Sequence, residues 1–452
     1  MVYSFAILYI LFIVLMFYIV SKYITINNDI FSPLKFFLIF TAFELPYALK
    51  IITNKSSIPY YALNNISDFD YVYSLHIINS IVYIISVIVG YQLLNVNGSF
   101  LSKVYFVRSY HNKKGLLKSH FILFIIGFIS FYSFLNSIGG LFYLLENLDS
   151  KSAIIQGTGY YQAIYIVSIT LSCGSLVAYY GGLNKISIPK KIYLLSFVIF
   201  CFLLLASTGS RKGPMLLVLY ILVVWNYNVQ TIKLLRLKNI VIGFLGLIYF
   251  SMMPLFRTEG AFEYYMLNIS ELIIESFNNF LSFFDRFSDL DRSLLVYSLF
   301  DVKNLWLGSS FIDLIYAPLP RGLFPNKPPM DSGVYLYNMA HGSSVFPTTP
   351  LSEMIAVGWP FTTITNMYAN FWFPGVILGG LLFGCVLKYF RRLTERSDYN
   401  FISLFFYTGV IFGDFAFTNI KIVGFLTQLV FVFIILRFVI PFSILKLMKS
   451  KE

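Results

Sequence analysis

Long uninterrupted apolar runs constrain this chain more than any other feature of its sequence. A helix needs about 20 mainly apolar residues to cross the hydrocarbon of a bilayer. Such runs occur about eleven times, at roughly 3–21, 32–52, 74–95, 119–137, 162–182, 192–208, 213–229, 239–256, 367–388, 401–418 and 422–445. In lipid, backbone N–H and C=O groups must bond within the protein, which leaves helices or a closed barrel. Runs of this length predict an all-α polytopic integral membrane protein. Of the 452 residues 58% are hydrophobic and only 12% charged, against roughly 25% charged in soluble domains, so a soluble fold is excluded. Lys35, Glu44 and Pro46 interrupt the second run, and Gly413 and Asp414 near the end of the tenth leave a re-entrant segment as its alternative. The N-terminus has no basic n-region and no small-residue cleavage site, so it reads as a retained first span.

The charge balance reports orientation. There are 33 Lys+Arg against 21 Asp+Glu, a net +12, which in a soluble protein would point to nucleic acid. Here the cations cluster between apolar runs, at 96–118, 183–191, 230–238, 388–400 and the C-terminal tail. With these on the cytoplasmic side, the expected N-terminus is outside, the C-terminus inside, and the long segment 257–366 outside. The expected organisation is a first membrane bundle of about eight spans (1–256), a large extracytoplasmic loop (257–366), and C-terminal spans with a basic tail (367–452). Cys173, Cys201 and Cys385 all lie in apolar stretches, away from any loop that could build a disulfide or zinc site.

A long outer loop is where chemistry is expected. In residues 262–284, Phe262, Tyr265, Met266, Ile269, Leu272, Ile273, Phe277, Phe280 and Leu281 recur at helical spacing, with Glu263, Glu271 and Glu275 off that stripe. This predicts an amphipathic helix on the membrane or over a cavity. A second helix is expected from Asp289 as N-cap through Arg292 to about Phe300. Beyond it, APLPRGLFPNKPPMDSG and HGSSVFPTTPLSE hold prolines 318, 320, 325, 328, 329, 347 and 350, which suit neither helix nor strand. That irregular stretch carries Arg321, Lys327, Asp331, His341 and Glu353.

STGSRKGP places Arg211 and Lys212 in a short turn on the expected outer face, where basic residues are disfavoured. They either grip an anion such as a lipid-linked diphosphate, together with Ser207, Thr208, Gly209 and Ser210, or meet lipid headgroups. Arg321 either forks onto a phosphate or pairs with an outer carboxylate. Arg257 ends a span, and Arg286 and Arg292 lie among Asp285, Asp289 and Asp291. His341 is the only histidine on the expected outer face, with His76 at a span entrance, and suits a general base. Asp331 and Glu353 are the alternatives to it, while Asp414 and Lys421 either pair with each other or complete the cavity. No nucleotide, zinc-hydrolase or nucleophile-elbow motif is present. Ionisable residues within the runs are nearly absent apart from Glu44, against an ion relay.

Four regions together resemble the bacterial O-antigen and capsule repeat-unit polymerases of the Wzy type: STGSRKGP (207–214), GSSFIDLIYAPLPRGLFPNKP (308–328), VFPTTP (345–350) and TNMYANFWFPGVILGGLLFG (365–384). In the last, Tyr368, Asn370, Gly375 and Gly379 match the family pattern, and Met367 stands where it usually has an acidic residue. The resemblance implies a multi-span glycosyltransferase of the bacterial cytoplasmic membrane, its active site facing outward, using no cofactor, nucleotide sugar or metal. Its substrate would be an undecaprenyl-diphosphate-linked oligosaccharide, with membrane lipids around it and a chain-length regulator and a flippase as further partners; nucleic acid is not expected. Arg211 and Arg321 would stabilise the diphosphate, helped by Lys212, Arg257, Arg286 and Arg292, with His341 as base and Glu353, Asp331 and Asn370 as further candidates. A glycan ligase or a lipid-linked oligosaccharide flippase are the alternatives.

Overall fold

Helix follows from hydropathy along most of the chain. The computed structural model describes residues 2–24, 29–46, 48–49, 66–94, 113–148, 151–155, 157–183, 187–232, 237–252, 255–257, 260–281, 290–319, 323–413, 415–435 and 437. Among these there are helices, turns and irregular segments and no strand. In chain order the α-helices are α1 (Val2–Ile19), α2 (Pro33–Thr41), α3 (Phe69–Leu93), α4 (Lys113–Ser137), α5 (Leu141–Glu146), α6 (Lys151–Ile154), α7 (Gly159–Gly181), α8 (Ile188–Ala206) and α9 (Lys212–Asn228). They continue with α10 (Leu237–Met252), α11 (Ala261–Leu267), α12 (Ile269–Leu281), α13 (Leu290–Leu299), α14 (Gly333–Ala340), α15 (Thr363–Arg396), α16 (Phe401–Ile411) and α17 (Asn419–Ile434).

Six segments of the described chain are long and apolar enough to cross a membrane: Tyr3–Ile24, Phe69–Leu93, Lys114–Ser137, Gly159–Gly181, Ile188–Ala206 and Thr363–Arg396. Within the described residues the other expected runs form shorter helices. α2 has 9 residues, α9 has 17, α10 and α17 have 16 and α16 has 11, and at about 1.5 Å per residue each falls short of ~30 Å. α2 gives way to a 3₁₀ turn, Ala42–Glu44, just before Pro46. The expected amphipathic helix is two helices: α11 ends where Asn268 leaves helical geometry (φ −123, ψ 60) and its Nδ2 donates to the Tyr264 carbonyl at 3.0 Å. Only part of the expected stripe is covered; Tyr265 and Leu272 are buried, while Met266, Ile269, Ile273 and Phe277 are exposed.

The chain forms two units. The first comprises residues 1–96, 284–391 and 413–426. In it α3 receives α1, α13 and the C-terminal part of α15. Small residues set that last contact. A Cβ on Gly90 of α3 would come within 2.1 Å of the Leu381 carbonyl, one on Gly384 within 2.1 Å of the Val87 carbonyl, and one on Gly380 within 2.6 Å of Ser86 Cβ. Backbones approach this closely only where side chains are missing, as in small-residue membrane interfaces. Asp29 and Arg391 form an ion pair, both side chains largely buried. Asp68 caps α3 by accepting from Tyr71 N at 3.0 Å.

The second unit comprises 97–283, 392–412 and 427–452. Its core gathers Phe131 and Phe134 of α4, Leu144 of α5, Tyr165 and Cys173 of α7, Cys201 and Leu205 of α8, and Leu217 of α9. α12 lies along α10, and α11 turns its Tyr264 and Tyr265 hydroxyls onto the Glu271 and Glu275 carboxylates of α12.

The glycine contact is testable. Gly384→Val drives a branched side chain into the Val87 carbonyl and should cost at least about 1–3 kcal/mol, read as a lower Tm of the detergent-solubilised protein. Gly246→Ala in α10, where a Cβ meets nothing within 4 Å, should leave Tm unchanged or slightly raised.

Candidate functional site

The proline-rich segment is ordered by a buried carboxylate absent from the sequence-derived candidates. Asp313 sits in a 3₁₀ helix, Ser309–Tyr316, and is fully buried. Its Oδ2 accepts from the Tyr335 hydroxyl at 2.8 Å and its Oδ1 from the Thr348 amide at 3.2 Å. Tyr335 belongs to α14, and Thr348, in VFPTTP, holds a left-handed backbone (φ 76), a conformation costly for a β-branched residue. One carboxylate therefore ties together three stretches that have little regular structure to hold them. Burial pushes the Asp313 carboxyl up to about 6, opposed by the bonds from Tyr335 and Thr348, and pushes the Tyr335 phenol up as well.

The same segment is fastened to an interrupted membrane helix. Within α15, Phe371 (φ −137, ψ 15) and Trp372 (φ 55, ψ −148) leave helical geometry, and Pro374 and Gly375 follow. Proline lacks the N–H that would bond the carbonyl four residues earlier, and a Cβ on Gly375 would fall 2.3 Å from the Met367 carbonyl. The Ala369 carbonyl takes the Trp306 amide at 2.9 Å. Four further bonds close a ring: Asn366 Nδ2 to Phe417 O (2.7 Å), Asn419 Nδ2 to Ser310 O (2.5 Å), Ser310 Oγ to Asn370 Oδ1 (2.9 Å) and Asn370 Nδ2 to Asn366 O (2.8 Å). Asn366, Asn370 and Asn419 are fully buried. Met367, where the family pattern has an acid, is also buried and packs on Gly379, so it fills the space a carboxylate would need.

Asp331, His341 and Glu353 lie in this unit. Asp331 Oδ1 accepts from Gly333 N at 2.9 Å, its Oδ2 lies 2.5 Å from where a Gly358 Cβ would be, and burial raises its pKa. His341 closes α14 and is exposed; its Nδ1–H donates to the Tyr337 carbonyl at 2.7 Å, which leaves the Nε2 lone pair as the basic one. Its ring packs between Tyr337 and Trp359, with centroids at 4.2 and 5.6 Å. Glu353 is exposed at the end of a 3₁₀ turn. Lys327 Nζ donates to the Tyr316 and Leu319 carbonyls at 3.3 and 2.8 Å, covering the end of the Asp313 helix. Arg292 pairs with Asp291 at 3.1 Å. Lys421 Nζ donates to the Gly413 carbonyl at 2.7 Å.

Arg211 and Lys212 belong to the second unit, at the start of α9 after a turn through Gly209 (φ 64). The expected polar grip is narrower than the sequence suggests. The Ser207 and Thr208 hydroxyls donate back to the Leu204 and Leu205 carbonyls at 2.8 and 2.9 Å, so their protons are committed to finishing α8. Tyr249 of α10 donates to the Ser210 carbonyl at 3.4 Å and feels the Arg211 charge. Arg257 ends a 3₁₀ turn, Leu255–Arg257, with its side chain outside the described residues. Arg286, Arg321, Asp289 and Asp414 also lie outside the described residues.

Because folding raises the Asp313 pKa above its ordinary 3.8, the folded state holds this proton more tightly than the unfolded state. The contribution of Asp313 to stability is then greatest at low pH and falls as pH rises from about 4 to about 6. Asp313→Asn should flatten that part of the Tm-versus-pH curve and speed hydrogen exchange of the Thr348 amide; an unchanged curve would remove the carboxylate from this role. Compared with protein-family models, curated proteins and solved structures, the chain matches none.

Proposed function

We propose that the protein joins lipid-diphosphate-linked oligosaccharide repeat units into a polysaccharide at the outer face of a bacterial cytoplasmic membrane. The observation that carries this reading is the fastening of the proline-rich segment to the interruption in α15. Irregular backbone near membrane depth persists only where protein buries it or a watery cavity borders it, and here two sequence regions of the polymerase resemblance, 308–328 and 365–384, are the parts bonded together. The exposed His341 lies beside the partly exposed rings of Tyr337 and Trp359, and an aromatic ring next to an imidazole suits a sugar with an apolar face and hydroxyl edges.

In this reading an acceptor sugar hydroxyl attacks the anomeric carbon of the donor, the bond to the diphosphate breaks, and the electron pair leaves with polyprenyl diphosphate. Charge grows on the leaving group. Guanidinium groups would meet it in a water-poor site, where each fixed donor is worth more than in water; the sequence resemblance assigns this role to Arg211 and Arg321, with Lys212, Arg257, Arg286 and Arg292 as helpers.

Purified protein in liposomes should convert lipid-diphosphate-linked oligosaccharides, extracted from a strain lacking the protein, into a ladder of longer glycans without ATP, nucleotide sugar or divalent metal. Arg211→Ala and Arg321→Ala should each lower the rate by about 10²–10³-fold with the protein still inserted. Normal ladders from both variants would sink the cation roles. Movement of the substrate across the bilayer without any ladder would make the protein a flippase instead, and transfer only to a lipid or wall acceptor would make it a ligase.

A further inference from the structure

A carboxylate–imidazole pair lies buried in the first unit, apart from the candidates above. Glu44, at the end of the 3₁₀ turn after α2, accepts from His76 Nε2–H at 3.2 Å and from the Tyr9 hydroxyl of α1 at 3.0 Å, both on Oε2. The His76 side chain is only 4% exposed and that of Glu44 22%. A carboxylate that takes the Nε2 proton fixes the tautomer and puts the lone pair of the neutral ring on Nδ1. That atom is buried and has no hydrogen-bond partner in the protein. Asn79 Oδ1 and Ser80 Oγ, one turn along α3 on the same face, and the Tyr297 hydroxyl of α13 are buried and unsatisfied too. The Tyr297 ring packs edge-on against His76 at 5.7 Å and against Tyr368 of α15 at 4.7 Å.

Buried polar atoms in folded proteins are nearly always bonded, and each one left over costs free energy. Here an oriented base, an amide oxygen, a serine hydroxyl and a phenol are left over where α13 meets α3. The four unmet atoms combine one basic nitrogen, one acceptor and two hydroxyls that both donate and accept, a set that a sugar with vicinal hydroxyls satisfies. Tyr297 also links the pair through Tyr368 to the TNMYANFWFPG stretch in which α15 is interrupted.

We propose that His76 is the general base of the reaction, taking the acceptor hydroxyl proton on Nδ1, and that Glu44 is the positioning residue that holds the ring and stabilises the imidazolium. The proposal rests on the polymerase reading above. The step balances: the hydroxyl oxygen forms the new glycosidic bond as its proton passes to Nδ1, the anomeric carbon–diphosphate bond breaks, and the electron pair leaves on the diphosphate. Deprotonation by solvent resets the ring. Glu44 is the charged group facing His76, and the titratable neighbours are Tyr9 from α1, Tyr73 on α3 itself, Tyr297 from α13 and, behind it, Tyr368 from α15.

The test uses the liposome assay with the same extracted lipid-linked oligosaccharides, read as initial rate against pH. His76→Gln keeps an N–H for Glu44 but has no basic nitrogen. It should lose about 100-fold or more, and its residual rate should lack the fall at acid pH shown by the wild type. Glu44→Gln keeps the shape and removes the charge; the acid limb should move to lower pH and the maximal rate should drop, a shift that a merely structural role would not produce. A His76→Gln rate within threefold of wild type, or an acid limb unmoved in Glu44→Gln, overturns the assignment. Loss in His341→Gln with His76→Gln still active would hand the role to His341 and likewise overturn it. A wild-type protein that forms no polymer fails the polymerase reading itself, which is distinct from an active wild type with indifferent His76.

Discussion

Hydrocarbon offers no water to a broken hydrogen bond, and this sets the terms for the whole first unit. When α15 leaves helical geometry at Phe371 and Trp372, the Ala369 carbonyl loses its partner within the helix, and Pro374 has no N–H to offer. The Trp306 amide takes the Ala369 carbonyl, and beside the break Ser310, Asn366, Asn370, Phe417 and Asn419 bond one another. An interruption that would be prohibitive in a lone helix becomes an attachment point. The segment carrying Trp306 and Ser310 is held to α15 by the Trp306 amide on the Ala369 carbonyl and the Ser310 hydroxyl on the Asn370 side chain.

Two further contacts make that attachment rigid. On the membrane side, Gly380 and Gly384 let the C-terminal part of α15 lie against α3 with backbones nearly touching, so dispersion contacts and not hydrophobic transfer hold the pair, as expected in lipid. Away from that contact, the Asp313 carboxylate binds Tyr335 and Thr348. Irregular backbone between these fixed ends can carry Asp331, His341 and Trp359 in defined places.

Much of the architecture was legible in the sequence. Hydropathy marked the long helices, the later proline run behaved as local chemistry requires, and α13 falls where its helical signal lay. Hydropathy reports what can be buried and not how far a helix runs: six helices of the described chain are long and apolar enough to cross a membrane, while α2 passes into a 3₁₀ turn after 9 residues and α16 ends after 11. α11 and α12 read as one helix because apolar residues occur on nearly every face, so spacing could not reveal the stop at Asn268. Asp313 escaped notice inside an apolar stretch, since only tertiary contact shows that Tyr335 and Thr348 close over it. His76 and Glu44 lie 32 residues apart, and no spacing rule joins a histidine at a span entrance to a glutamate that seemed merely to interrupt a run.

The ring of amides has a consequence for how the chain is made. Its members come from three places in order of synthesis: Ser310 first, Asn366 and Asn370 next, and Phe417 with Asn419 last, close to the C-terminus. A nascent chain leaving the ribosome therefore carries α15, with Pro374 already in it, before Phe417 exists to accept from Asn366 or Asn419 to donate to Ser310. Those two bonds are the last of the ring to become possible, and a chain truncated before residue 417 would retain α15 with only the Ser310–Asn370 and Asn370–Asn366 bonds of the ring.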